Sequence, residues 1–179
     1  MKHLHIAACS LSLALCLAGI PSWAQDFQSG MDKFAQKDWA GALKEWQPLA
    51  EKGDAKAQFQ LGSMHSFGLG VSQDHAKALH WYTQAAEQGH IDAQLFLANA
   101  YGSGEGVTKD EAKAVEWLSK AAAQGNGAAQ FQLGAMYSNG TGGVAHDDTK
   151  AVEWLRKAVA QGFPPAEVFL HKRYPDSAR

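Results

Sequence analysis

Cysteine is almost missing from this chain of 179 residues: Cys9 and Cys16 are the only two, and both fall within the first 24. Without that segment there is no thiol for a disulfide, a thiolate metal site or a covalent mechanism, so the fold rests on packing alone. Strong charge of either sign is lacking too. The formal net charge is -2 and the pI about 6.4, which leaves no basic footprint for electrostatic nucleic-acid binding. Beyond the N-terminus no apolar run approaches the roughly 18 residues of a spanning helix. Proline is scarce, at 5 residues. Glycine, with 18 residues, is not, and alanine is abundant. The glycines are evenly spaced, as repeated helix ends would be.

Residues 1–24 read as an export signal. Lys2 supplies a positive start, Ile6 to Ile20 is almost wholly apolar, and Pro21 ends the run. Ser22-Trp23-Ala24 then offers small residues at both positions that a signal peptidase reads. Cleavage is expected after Ala24, giving a chain from Gln25 to Arg179 that carries 15 basic and 18 acidic residues. The expected compartment is the periplasm, with secretion as the alternative. Cys16 follows Leu15, and Cys9 precedes the apolar core, so neither suits a lipoprotein.

Three segments then repeat: Ala55 to Gly89, Ile91 to Gly125 and Gly127 to Gly162. The period is 36 residues, then 37, because the third unit has one extra glycine in its loop. Such a period marks a solenoid built from one supersecondary unit. Each unit reads as two helices. Ala93, Leu97, Ala100 and Tyr101 form one apolar stripe, repeated at Ala57, Leu61, Met64 and His65 and at Ala129, Leu133, Met136 and Tyr137. Gly62, Ala98 or Gly134 follows the Leu, where a small residue admits a close neighbour. The second helix carries Ala114, Trp117, Leu118, Ala121 and Ala122, matched by Ala78, Trp81, Tyr82, Ala85 and Ala86 and by Ala151, Trp154, Leu155, Ala158 and Val159.

The boundaries recur as well. Asp74, Asp110 and Asp147 stand where N-caps of the second helices belong, and Gly89, Gly125 and Gly162 where left-handed ends belong. Between the helices lie Gly68 to Val71, Gly104 to Val107 and Gly140 to Val144. Residues 25–53 read as a shorter helical pair, 54–89, 90–125 and 126–162 as three full repeats, and 163–179 as a capping helix and tail bearing Lys172 and Arg173. The fold class is all-α, an α/α superhelical solenoid of helix-turn-helix units.

Ala-Gln-x-x-Leu-Gly-x-x-Tyr, Gly-x-Gly-Val, Asp-x-x-Lys-Ala and Trp-x-x-x-Ala-Ala-x-x-Gly together resemble the Sel-1-like repeat (SLR), a relative of the tetratricopeptide repeat (TPR). His65 in place of Tyr, Ala98 in place of Gly and the longer third loop are the departures. The resemblance implies a superhelix whose first helices line a concave face, and an adaptor for proteins or peptides, often in the bacterial envelope. It also implies two alternatives: a protein that binds or hydrolyses cell-wall material or β-lactams, as in a disulfide-rich branch, or a structural component of an envelope complex. The lack of cysteine after Ala24 removes the mark of that branch.

No catalytic set stands out. Gly102-Ser103-Gly104-Glu105-Gly106 is preceded by a helix, whereas phosphate loops and nucleophile elbows follow a strand. His65, His75, His80, His90, His146 and His171 show no metal-ligand spacing. No metal, cofactor, nucleic acid or membrane span after signal cleavage is expected, and the chain reads as a monomer. Trp81, Trp117 and Trp154 read as core. On a first-helix groove, Lys56, Phe59 and Ser63, then Asp92, Leu95 and Asn99, then Phe131, Ser138 and Asn139 are the candidates for contact with a partner. Phe59, Leu95 and Phe131 would form an apolar strip, flanked by groups able to bond an extended backbone; alternatively, they pack against adjacent first helices.

Overall fold

The computed structural model describes residues 22–177. Residues 1–21, most of the expected leader, lie outside the described residues, and Ser22–Ala24 open the first helix. Among the described residues are nine α-helices and no strand: α1 (Ser22–Ala35), α2 (Trp39–Glu51), α3 (Ala55–Phe67), α4 (His75–Glu87), α5 (Ile91–Ser103), α6 (Glu111–Ala123), α7 (Gly127–Asn139), α8 (Asp148–Ala160) and α9 (Pro164–Arg173). A 3₁₀ turn, Pro175–Ser177, follows. Each helix packs on the next along the chain, giving the quasi-linear stack of a repeat protein.

The local signals act as expected. The Asp74, Asp110 and Asp147 carboxylates each accept a backbone N–H three residues on, from Lys77, Lys113 and Lys150, at 3.0 Å. These amide bonds, foremost, hold the Asp74 and Asp147 carboxyls below the ordinary carboxylate value. Capping stability is therefore complete above the ordinary value and fades as pH falls through the lowered one. Gly68, Gly104 and Gly140 close α3, α5 and α7 in the left-handed conformation.

The lysines beside these caps also have a role. Lys113 and Lys150 extend over the rings of Tyr101 and Tyr137, 5.1 and 5.2 Å from the centroids, with the Asp110 and Asp147 carboxylates 3.7 and 3.5 Å from the ammonium. Each lysine thus ties the start of a second helix to the end of its first helix.

The core runs along the stack as three clusters. The central one joins Ala78, Tyr82, Leu97, Leu118 and Leu133. An N-terminal one gathers Trp46, Leu49, Leu61 and Met64, and a C-terminal one Leu155, Ala158, Ala166 and Leu170. The tryptophans correct the sequence reading. Trp117 is buried, but Trp81 and Trp154 are only half-buried. Lys120 and Lys157 lie over the rings of Trp117 and Trp154, 3.9 and 4.2 Å from the centroids. The wholly enclosed position is the next residue along: Trp46, Tyr82, Leu118 and Leu155 in successive units.

Candidate binding face and its two grooves

The residues proposed for partner contact divide by exposure. Lys56, Asp92, Asn99 and Asn139 are exposed, whereas Phe59, Ser63, Leu95 and Phe131 are half-buried. Phe59 stacks on His90, the N-cap of α5, with 4.6 Å between centroids, and lies 5.5 Å from Tyr82. Phe131 meets Phe163 at 5.5 Å and Phe169 at 5.8 Å. Leu95 packs on the central cluster. The apolar strip therefore does much of its work between repeats. Ser63 is engaged as well, accepting from the Tyr82 hydroxyl at 3.1 Å.

Ser138 does not belong to the exposed face. It is 1% exposed, and its Oγ is bonded to the Tyr174 hydroxyl at 2.8 Å. That hydroxyl donates in turn to Asp148. Tyr174 follows α9, so a residue of the tail bonds the end of α7; the position itself faces inward, since its first-repeat counterpart Ser66 is buried too. Burial, then the Asp148 carboxylate, raise the Tyr174 phenol above its ordinary value.

Two grooves lie between successive first helices. One, of about 250 Å³, is lined by Ser66, Phe67, His75, Phe96, Asn99, Ala100 and Glu105. The other, of about 550 Å³, is lined on α5 and α7 by Ala98, Asn99, Gln132 and Met136, with Leu118 on its floor and Glu105, Glu111 and Thr141 at its edges. Asn99 and Glu105 belong to both.

The difference in size follows from two exchanges. At the first junction Tyr82 and Phe96 pack with ring centroids 3.9 Å apart and fill the space between α3, α4 and α5. At the second junction the equivalent positions hold Leu118 and Gln132, which are smaller, or polar and flexible. Ala98 fits the same pattern. A Cβ on Gly62, its counterpart, would lie 2.7 Å from the Tyr82 ring, so the first junction requires glycine there. In the second unit Leu118 stands in place of that ring, and the Ala98 methyl forms part of the groove wall.

A set of residues to which sequence reasoning gave no role holds the repeats in register. Gln58, Gln94 and Gln130 are buried, at 3 to 4% exposure, although they sit on apolar helices. Each donates to a carbonyl near the end of the preceding second helix: Ala50, Ala86 and Ala122, at 3.1, 3.0 and 2.9 Å. Gln58 and Gln94 also accept from Gln88 and Gln124 of the following turn, at 2.7 and 2.8 Å. Each of these carbonyls already accepts from a glycine N–H of its own turn, Gly53, Gly89 or Gly125, at 3.0 Å. A carbonyl oxygen has a second lone pair, and the glutamine crossing from the next repeat takes it and so sets the spacing. Ala-Gln recurring three times on a buried stripe was the available signal. Burial, foremost, holds the His90 imidazole below its ordinary value. It therefore favours the neutral ring, whose Nδ1 accepts from the Ala93 N–H at 3.4 Å.

Among the described residues no group of three or more His, Cys, Asp or Glu side chains could hold a metal ion, and no helix is long and apolar enough to cross a membrane.

Stacked helix pairs, glycine-closed first helices and an amide ladder between units define an α-solenoid repeat protein. The Sel1 repeat pattern matches residues 55–90, 91–126 and 127–163, and the chain belongs to the Sel1 repeat family. It is 39% identical to a Sel1 repeat protein from Oxalobacter formigenes, over 73% of this chain and 97% of that one, with a TM-score of 0.68. It is likewise 39% identical to a protective antigen of uropathogenic Escherichia coli strains displaying an SLR fold, over 74% of this chain, with a TM-score of 0.68. This chain spans 28% of the length of that antigen. No curated protein is matched. The fold is a scaffold generally used in protein–protein interaction, in a family that is typically non-catalytic.

Proposed function

We propose that the protein is an exported, periplasmic adaptor that binds a protein or an extended peptide along its first-helix face, the concave side of such solenoids. One observation carries this reading. The two grooves between successive first helices meet at Asn99, which is exposed, and its amide both donates and accepts. A side chain of that kind suits the alternating groups of an extended backbone. Of the residues proposed for partner contact, Asn99 alone lines the grooves. Phe59, Leu95 and Phe131 pack between repeats instead, and Lys56, Asp92 and Asn139 are exposed on the first helices outside the groove linings.

The test begins with the protein purified from the envelope fraction, where mass spectrometry should find Gln25 at the N-terminus. Asn99→Ala is then expected to weaken binding of the co-purified partner by about 0.5–1.5 kcal/mol, with an unchanged thermal melt. Phe131→Ala is expected to lower the melt as well, because its ring packs on Phe163 and Phe169. Intact Met1 would remove the export part of the proposal. Unchanged affinity in Asn99→Ala would remove the binding face.

A further inference from the structure

The larger groove differs from the smaller one in charge as well as in size. Glu105 and Glu111 stand at its edges, with Asn99, Gln132 and Thr141 as neutral polar groups and Met136 and Leu118 as apolar floor. Lys109 answers Glu111, at 2.7 Å. Glu105 makes no ion pair or side-chain hydrogen bond among the described residues; only its backbone N–H is engaged, by Ser103. The groove thus holds one carboxylate more than its own cation balances. Beside it, in the smaller groove, Phe67 is 69% exposed, an apolar ring at a position that holds Ser103 and Asn139 in the other repeats.

From this arrangement we infer that the groove between α5, α6 and α7 is a specificity pocket for an arginine or lysine side chain of an extended peptide segment, with an apolar neighbour of that residue resting on Phe67. The inference rests on the proposed first-helix binding face and adds to it the chemistry of the occupant. A long basic side chain matches the site in each part. Its methylenes lie along Met136 and Leu118, and its head reaches the edge, where Glu105 lacks a cation and the Asn99 and Gln132 carbonyl oxygens accept. An acidic segment would meet Glu105 and Glu111 instead and be repelled. The smaller groove takes no such side chain, because the Tyr82 and Phe96 rings fill its floor.

The probe is a phage-displayed library of random dodecapeptides selected against the chain beginning at Gln25. Three new variants, together with Asn99→Ala, separate the outcomes. Glu105→Gln removes the charge and keeps the shape. Ala98→Gly/Leu118→Tyr/Gln132→Phe copies the residues of the first junction into the second, closing the groove with a set that already packs in this protein. Glu116→Gln, on the exposed side of α6, is the control.

The inference predicts selected peptides with a basic residue beside an apolar one. Their affinity should fall about tenfold in Glu105→Gln, fall beyond detection in the groove-closing variant and hold in Glu116→Gln. Added salt should weaken wild type more than Glu105→Gln. Peptides that lose binding in the groove-closing variant, but carry no basic residue and ignore Glu105→Gln, would overturn the basic pocket and leave the first-helix face standing. Peptides indifferent to both the groove-closing variant and Asn99→Ala, or no enrichment at all, would overturn both.

Discussion

Trp46→Ala is expected to lower the free energy of unfolding by about 3–5 kcal/mol in urea denaturation, more than the same change at any other tryptophan. Trp46 is 0% exposed. Its ring lies 5.9 Å from Phe27 and 5.5 Å from Phe34, and its indole N–H donates to the Phe27 carbonyl at 3.2 Å. It is the largest buried side chain in the cluster that joins α2 to α3, so truncation opens a void between the N-terminal helix pair and the first full repeat. Neighbour-only contacts make the damage local, and amides of α1 and α2 should exchange before those of α7 and α8. Trp154→Ala is expected to cost only about 1–2 kcal/mol, because that ring is half-buried and part of its cover is the stem of Lys157. Equal losses at the two positions would show that the assigned core positions are wrong.

Gly62→Ala is expected to destabilise by about 1–3 kcal/mol through overpacking. The added methyl would stand 2.7 Å from the Tyr82 ring. That ring has no free direction to retreat: Phe96 lies on it at 3.9 Å, Phe59 lies 5.5 Å away, and its hydroxyl is held by Ser63. Adding Tyr82→Leu should recover part of the loss: Ala98 faces Leu118 in the second unit, whereas a Cβ on Gly134 would still lie 2.7 Å from Leu155 in the third. A double-mutant cycle of urea melts measures the coupling, expected to be about 1 kcal/mol or more in favour of the pair. Additive losses would mean that the glycine is tied to the backbone and not to the ring.

The repeat was legible because its cues are local. The 36-residue period, the Asp caps and the left-handed glycines each depend on a few neighbouring residues, and the helices begin and end where those residues stand. The tryptophans misled because recurrence resembles burial. Glu45 occupies the Trp81 position in the first unit and pairs with Lys33; a position that takes a glutamate is an edge, and the enclosed one lies a residue further on. Ser138 was misplaced by helix phase: it is the counterpart of Ser66, which is also buried, and not of Ser63 and Asn99, and Tyr174 of the tail bonds it there. The groove was legible only in part. Asn99 stood out as a residue that differs among the repeats, but the width of the site depends on Leu118 and Gln132, on different helices of consecutive units. Each looks ordinary alone. Only their comparison with Tyr82 and Phe96 shows that one junction is filled and the next is open.

The most direct test of the binding face is site-specific photo-cross-linking of the exported protein in its native envelope. A cross-linking side chain is placed in turn at position 99, in the shared part of the two grooves, at position 120, on the exposed side of α6, and at position 168, where Val168 is 68% exposed at the last helix. One discrete adduct is expected from position 99 and none from positions 120 and 168. An adduct from position 120 or 168, with none from 99, would contradict the first-helix face and move the binding surface to the second helices or to the end of the solenoid.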